Sequence, residues 1–303
     1  MTLLENLAKR ELIVVTGKGG VGKSIVSAAL GSLIHQAGRR VLLLEVDPRE
    51  NLHRFFSAPP AGGEVVNLAA GLFLEHLSPR AEMDELVREH LRIGLLVNRV
   101  LASPVYEHFA GGAPGLKELA VLGHALRAVA GPRRDKAPRV DTVVLDAPAT
   151  GHSVSLLAAP SVAANVIRQG PFGRMARTLE SLVADPGRCA VVVVTLAEEM
   201  PVQEAIELID LLHGRLARRP DLVAANCLYP PAGPRSEDEP EAVALWRHRR
   251  GVNERELRRL RASWDGPLVE LPLVAFDHPP ELLAALAAPL AEALSKPPGA
   301  LPR

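Results

Sequence analysis

Residues Gly17 to Ser24 read GKGGVGKS and carry the most recognisable chemistry in the chain. Gly17, Gly22, Lys23 and Ser24 stand at the spacing G-x-x-x-x-G-K-S. The apolar run Leu12–Val15 precedes them and a helix-spaced apolar stretch, Ile25–His35, follows. A strand, a glycine loop, a Lys-Ser pair and a helix in that order make a phosphate-binding loop. Gly17, Gly19, Gly20 and Gly22 allow the backbone to curl so that its N–H groups point at an anion. The free N–H groups and positive dipole end of the following helix add to the cradle, so Gly17 through Ile25, including Lys18 and Val21, is the expected contact stretch. Lys23 would place a charge between the terminal phosphates, and the Ser24 hydroxyl would ligate Mg2+. A plain glycine turn is the alternative; the strand and helix on either side favour the phosphate loop.

Two carboxylates extend this chemistry. The apolar run Val41–Val46 ends on Asp47, and Val140–Leu145 ends on Asp146. An acid at the carboxyl end of a parallel strand sits at the ligand-bearing edge of a sheet. Asp146 has the Walker B arrangement, in which the carboxylate reaches Mg2+, often through water. Asp47 falls near the same phosphates. With Ser24, these two acids form the expected metal-binding set.

Along the chain, uniformly apolar strands alternate with helices. That pattern predicts an α/β fold with a doubly wound, mainly parallel sheet covered on both faces. Residues 1–10 read as a short lead-in. Strands are expected at Leu12–Thr16, Val41–Val46, Leu72–Leu77, Val140–Leu145, Ala190–Thr195, Leu222–Asn226 and Leu268–Val274. A helix over Val21–Ala37 has Gly38 at its C-cap. Ala58–Leu68, with its prolines and glycines, reads as a looser stretch. Residues 79–131 read as mostly helical and are taken as an insertion in a single 1–303 domain; their apolar faces serve either packing or a groove for a client peptide. Further helices are expected over Ser153–Asp185, broken near Gly170–Gly173, and over Pro201–Arg215 and Glu281–Leu294. Glu237–Ser263 reads as a charged helical pair. Its seven arginines from Arg247 to Arg261 fit a solvated face with local ion pairs or, secondarily, contact with an acidic partner.

The loop has a second lysine, Lys18, and its G-K-G-G-V-G-K-S form resembles the deviant P-loop of the family that includes ParA and MinD, the nitrogenase iron protein and ArsA-type ATPases. The resemblance implies that Lys18 reaches across a dimer interface to the partner's nucleotide. After Asp146 the chain reads Ala147-Pro148-Ala149-Thr150-Gly151-His152, which resembles the second switch of ArsA-type ATPases, the group containing the arsenite-pump ATPase and the ATPase that targets tail-anchored membrane proteins. Pro114-Gly115 and Glu118 resemble a segment of that group's helical region. The first switch there normally reads D-P-A-H-N; here Asp47, Pro48 and Asn51 match while Arg49 and Glu50 depart towards the ParA-like D-P-x-x-N. The resemblance covers most of the chain. It implies a dimeric P-loop ATPase that uses ATP and Mg2+, with Lys18, Lys23, Asp47 and Asp146 as catalytic groups and Asp47 orienting the attacking water. It also gives Asn226 an adenine-recognising role, a strand-end turn asparagine being the alternative, and places Pro272 before a loop against the base. The implied partner is a second copy or a paralogous ATPase, acting on a protein client or a membrane protein. Alternatives are a ParA/MinD-like positioning ATPase on DNA or membrane, or a nucleotide-binding subunit of a heterodimer.

Composition narrows these readings. Formal net charge is zero and aromatic residues make up 3% of the chain, so neither bulk electrostatics nor base-stacking platforms favour nucleic acid. Hydrophobic residues at 48% and charged residues at 23% are ordinary for a globular core. The two cysteines, Cys189 and Cys227, read as buried thiols at strand edges; they form no C-x-x-C and no clustered thiolate site for arsenite. No stretch is apolar for the ~18 residues of a membrane span, and the first residues lack a signal-peptide core, so a cytoplasmic location is expected.

Overall fold

The central strands Leu12–Thr16, Val41–Glu45 and Thr142–Asp146 are buried at every position, and apolar along most of their length, because helices cover both faces of the sheet. In strand β1 (Leu12–Thr16), Leu12 and Val14 enter one hydrophobic core while Ile13 and Val15 enter the other. Strand β2 (Val41–Glu45) repeats this, with Leu42 and Leu44 on the first side and Val41 and Leu43 on the second. Alternate side chains point to opposite faces of a sheet, so a strand sandwiched between helical layers has no polar face to show.

The computed structural model describes residues 1–46, 49–90, 103, 115–130, 139–148, 153–167, 169–234, 239–276 and 278–297. Eight strands form one sheet in the order β3-β4-β2-β5-β1-β6-β7-β8. The strands not yet given are β3 (Val65–Ala69), β4 (Leu72–His76), β5 (Thr142–Asp146), β6 (Cys189–Leu196), β7 (Leu222–Leu228) and β8 (Leu268–Pro272). All pairings are parallel except β3 with β4. The described helices are α1 (Leu3–Leu7), α2 (Lys23–Gln36), α3 (Leu52–Phe55), α4 (Pro79–His90), α5 (Leu116–Ala130), α6 (Ser153–Val166), α7 (Gly170–Ala184), α8 (Glu199–Leu216), α9 (Glu241–Ser263) and α10 (Pro279–Leu294). Helices α1, α2 and α10 pack on one face, and α5 to α9 supply the other core. This is the doubly wound α/β architecture that the strand–helix alternation predicts.

Four local expectations need correction. Residues 1–10 hold a capped helix rather than a bare lead-in. Thr2 and Glu5 form a reciprocal capping box, and Leu3 and Leu7 are buried against α2 and α10. The stretch Ala58–Leu68 contains most of β3, an antiparallel edge strand with a register shift between Asn67 and Ala69; its half-exposed, non-alternating residues hide it from a periodicity reading. The pair expected over Glu237–Ser263 is a single 23-residue helix, α9. Gly251 does not break it, because buried Asn253 anchors the helix by accepting from the Tyr229 N–H and donating to the Ala197 carbonyl. Strand β7 runs two residues past Asn226, to Leu228.

Other boundaries lie close to expectation. Helix α2 ends at Gln36, with Gly38 left-handed at φ 89° just beyond its cap. The break between α6 and α7 falls just before Gly170. In the 79–131 range the structure shows α4 and α5; residues 91–102, 104–114 and 131 lie outside the described residues, as do Asp47, Pro48, Ala149–His152, Glu237 and the tail from 298. Helix α10 buries Leu283, Leu286, Leu290 and Leu294 in the core shared with α2, so its apolar face is spent on packing. Among the described residues, no helix is long and apolar enough to cross a membrane.

Candidate functional site

The glycine loop leaves the carboxyl end of β1, which lies between β5 and β6 in the middle of the sheet. Helices reach opposite faces on either side of this strand, which opens a crevice at the strand ends. Gly17 has φ 146°, and a Cβ there would collide with the Val194 carbonyl of β6. Gly22 has φ 92° at the N-cap of α2, and a Cβ there would meet the Asn226 amide. Both positions combine a left-handed backbone with a close neighbour, so only glycine fits.

Lys23 opens α2 and is buried; its Nζ folds back to donate to the Lys18 carbonyl at 2.9 Å. The Ser24 hydroxyl donates to Asp146 Oδ2 at 2.6 Å, and the Ser27 hydroxyl donates to Oδ1 at 3.1 Å. Asp146 is buried at the end of β5, directly beside β1. Its carboxylate is held by two hydroxyls of one helical turn, since residues three apart share a face. A serine hydroxyl and a single carboxylate are hard oxygen donors, the combination that suits Mg2+ when substrate phosphates and water complete the octahedron. Among the described residues no cluster of three or more His, Cys, Asp or Glu side chains forms a self-sufficient cation site.

Two members of the site had no motif to announce them. Ser27 is one; its spacing from Ser24 was the available signal. The other is Glu45, the last residue of β2, whose register partner in β5 is Asp146. Its buried carboxylate accepts from the Asn51 N–H at 2.8 Å and from the Leu52 N–H, closing the start of α3. Burial pushes the Glu45 carboxyl up to about 7. The two backbone N–H donors and His76 pull it down, while the Asp146 charge raises it further.

The structure brings Asn226 to the loop. It is buried, and its amide donates to the Val21 carbonyl at 3.0 Å. Just after it, Cys227 adopts φ 56° where the β7–β8 register shifts between Ala225 and Leu228. Bulges that re-aim a strand are frequent beside ligand sites. Pro272 pairs with Leu228 at the end of β8, on the same sheet edge. Val21, within the loop, and Ile25, in the first turn of α2, are both buried. Lys18 projects outward, 55% exposed, and its Nζ lies 2.6 Å from Glu204 Oε1 of α8.

The cysteines are not brought together. Cys189 begins β6 and Cys227 lies near the end of β7, about eight residues or ~26 Å further along the strand direction. Cys189 is buried, as expected, and burial pushes its thiol up to about 12; Cys227 is only half-buried.

A glycine loop at the switch point of a parallel sheet, with its serine bound to the carboxylate ending the adjacent strand, is the geometry of a P-loop nucleoside triphosphatase fold. The match to known proteins is narrower than that class. Residues 10–184, more than half of the chain, match the model of the anion-transporting ATPase family, and the chain belongs to this family. It is similar to ATPase BagA of Mycobacterium tuberculosis, with 32% identity over 216 residues that cover 66% of this chain and 60% of that protein. It resembles the arsenical pump-driving ATPase of Escherichia coli at 27% identity, covering 81% of this chain and 43% of the relative. ATPase GET3 of Rhodotorula glutinis is 28% identical over 59% of this chain and 52% of its own length. The chain thus spans 43% to 60% of the length of these relatives.

Proposed function

We propose that this protein is an ATP-hydrolysing, dimeric molecular switch that requires Mg2+ and acts on a protein client or a membrane-protein partner. The observation that carries the reading is the Ser24–Asp146 contact at the mouth of the loop, with Lys23 folded over the same cradle. Bound nucleotide would draw Lys23 from the Lys18 carbonyl to the β- and γ-phosphates. The loop N–H groups from Gly17 to Ile25 would neutralise the rest. Ser24 and Asp146 would hold Mg2+, which supplies charge neutralisation on the leaving and transferring phosphates. Asp47, two residues beyond Glu45, is assigned the orienting of the attacking water. Asn226 and Pro272 are assigned to the adenine side of the site.

Lys18 is assigned a role in trans, at the partner's nucleotide. Its exposure and outward direction suit that role. An arsenical pump is what the Escherichia coli relative's name describes; in this chain the separation of Cys189 and Cys227 supports a different cargo. The zero net charge supports protein rather than nucleic-acid partners.

The test is steady-state phosphate release by the purified chain with Mg2+-ATP, compared with Lys23→Ala. Turnover in the parent that falls by about 10²-fold or more in the variant is expected. Equal rates in the two would remove Lys23 from the phosphate site.

A further inference from the structure

Strand β4 ends on two adjacent residues, Glu75 and His76, that face opposite sides of the sheet and hold different parts of the molecule. On one side, His76 Nδ1 lies 3.5 Å from Glu50 Oε1. Glu50 follows the end of β2, at one of the two positions departing from the D-P-A-H-N pattern. Its carboxylate also accepts from the Ala61 N–H at 2.6 Å and the Gly62 N–H at 3.1 Å. The next residues, Asn51 and Leu52, donate to Glu45, which lies in register with Asp146. The segment Glu50–Leu52 is therefore fastened to both β2 and β4 by carboxylates rather than by packing alone.

On the other side, Glu75 Oε2 lies 3.0 Å from His124 Nε2 of α5. The other ring nitrogen of His124, Nδ1, lies 2.9 Å from Glu82 Oε2 of α4, and Glu82 also pairs with Arg127 of α5. Glu75, Glu82 and His124 are all buried. Two acids and two bases thus join β4, α4 and α5 in a low-dielectric setting, where breaking one partner away is costly and alternative arrangements are discrete. Apolar packing between α4 and α5 could be satisfied by many small slides. A buried set of directional polar contacts fixes one arrangement.

We propose that Glu50 and His76 are positioning residues that link the phosphate site to helices α4 and α5 through the end of β4. Ligand at Ser24 and Asp146 acts on Glu45, the register neighbour of Asp146. Glu45 holds the amides of Asn51 and Leu52, Glu50 holds His76, and Glu75 beside it holds His124. Each link is a hydrogen bond, an ion pair, a register pairing or a step to the next residue in the chain, a contiguous route of the kind that carries coupling between sites. The proposal rests on the nucleotide-switch reading above and adds which residues transmit the state and where it arrives.

Hydrogen–deuterium exchange on the full chain tests it, with and without Mg2+ and a non-hydrolysable ATP analogue. Binding is followed separately by a fluorescent nucleotide. In the parent protein, amides of residues 79–90 and 116–130 should change their exchange rate at least threefold on nucleotide addition. Glu50→Gln and, independently, His76→Gln should reduce that change by half or more while nucleotide affinity stays within about threefold. A purely structural role would alter exchange equally with and without nucleotide. Bound nucleotide with no response in α4 and α5, or a full response in both folded variants, overturns the coupling and leaves the nucleotide site standing. Absence of nucleotide binding in the parent overturns both. If one variant fails to fold, the other and His124→Gln, which cuts the route beyond β4, decide the outcome.

Discussion

Lys18 is tied to its own chain: its Nζ lies 2.6 Å from Glu204 Oε1, so helix α8 holds the side chain assigned to act in trans. The pair is half open to water, and exposed ion pairs are worth ~0.2–1 kcal/mol. Releasing the lysine for a partner subunit therefore costs little.

Glu204→Gln removes the competing charge. ATP-dependent dimerisation is expected at concentrations roughly 1.5- to 5-fold lower than for the parent, the factor that this range of energies represents. Sedimentation velocity across a concentration series checks it. Lys18→Ala should abolish the ATP dependence of association; an unchanged dimerisation curve in that variant would remove the trans role.

Asp146→Asn retains an oxygen that can accept from Ser24 but loses the charge that would support Mg2+. Nucleotide affinity in the presence of Mg2+ should fall at least about tenfold, while affinity in EDTA changes little. Titration of a fluorescent ATP analogue under both conditions separates a metal role from simple disruption of the loop.

Gly22→Ala should destabilise the protein by about 1–3 kcal/mol, combining left-handed strain with the collision against the Asn226 amide. Asn226→Ala alone removes the donor to the Val21 carbonyl. The double variant should be less destabilised than the sum of the two, since the second change vacates the space the first needs. Urea unfolding of the four proteins gives the cycle; strict additivity would mean that the two residues do not share the contact.

Glu45 predicts a pH dependence with a definite sign. Its ordinary value is 4.5 and its folded value about 7, so between these limits the folded state binds more protons than the unfolded chain. Stability from this group is therefore full below pH 4.5 and is lost as pH rises to about 7, by up to roughly 3 kcal/mol. Glu45→Gln keeps an acceptor for Asn51 and cannot ionise. Denaturant unfolding of the nucleotide-free protein from pH 4.5 to 7.5 should show this component in the parent and its absence in the variant.

Much of this arrangement was legible in the residues. The continuous apolar runs, read with the intervening helical periods, placed seven strands to within two residues, because a strand covered on both faces is apolar along most of its length. The missed strand, β3, lies at the antiparallel edge, where half-exposed residues carry no such pattern. The loop motif located Lys23 and Ser24, and the strand-end rule located Asp146. Ser27 and Glu45 were not legible as site residues, because a serine inside a helix and a glutamate closing a strand acquire meaning only from what lies opposite them.

The sequence by itself determined the class of chemistry. Backbone curvature, a lysine and a hydroxyl within eight residues are local properties, and local properties survive without knowledge of the rest of the chain. Only the tertiary structure decided the connections: Asn226 beneath Gly22, Glu204 on Lys18, and Glu75 and His76 reaching two different layers from one strand end. Those partners are separated in sequence by as many as 204 residues, as Gly22 and Asn226 are, and their pairing depends on strand order and register. No local pattern encodes that order; it follows from how the whole sheet buries its two faces.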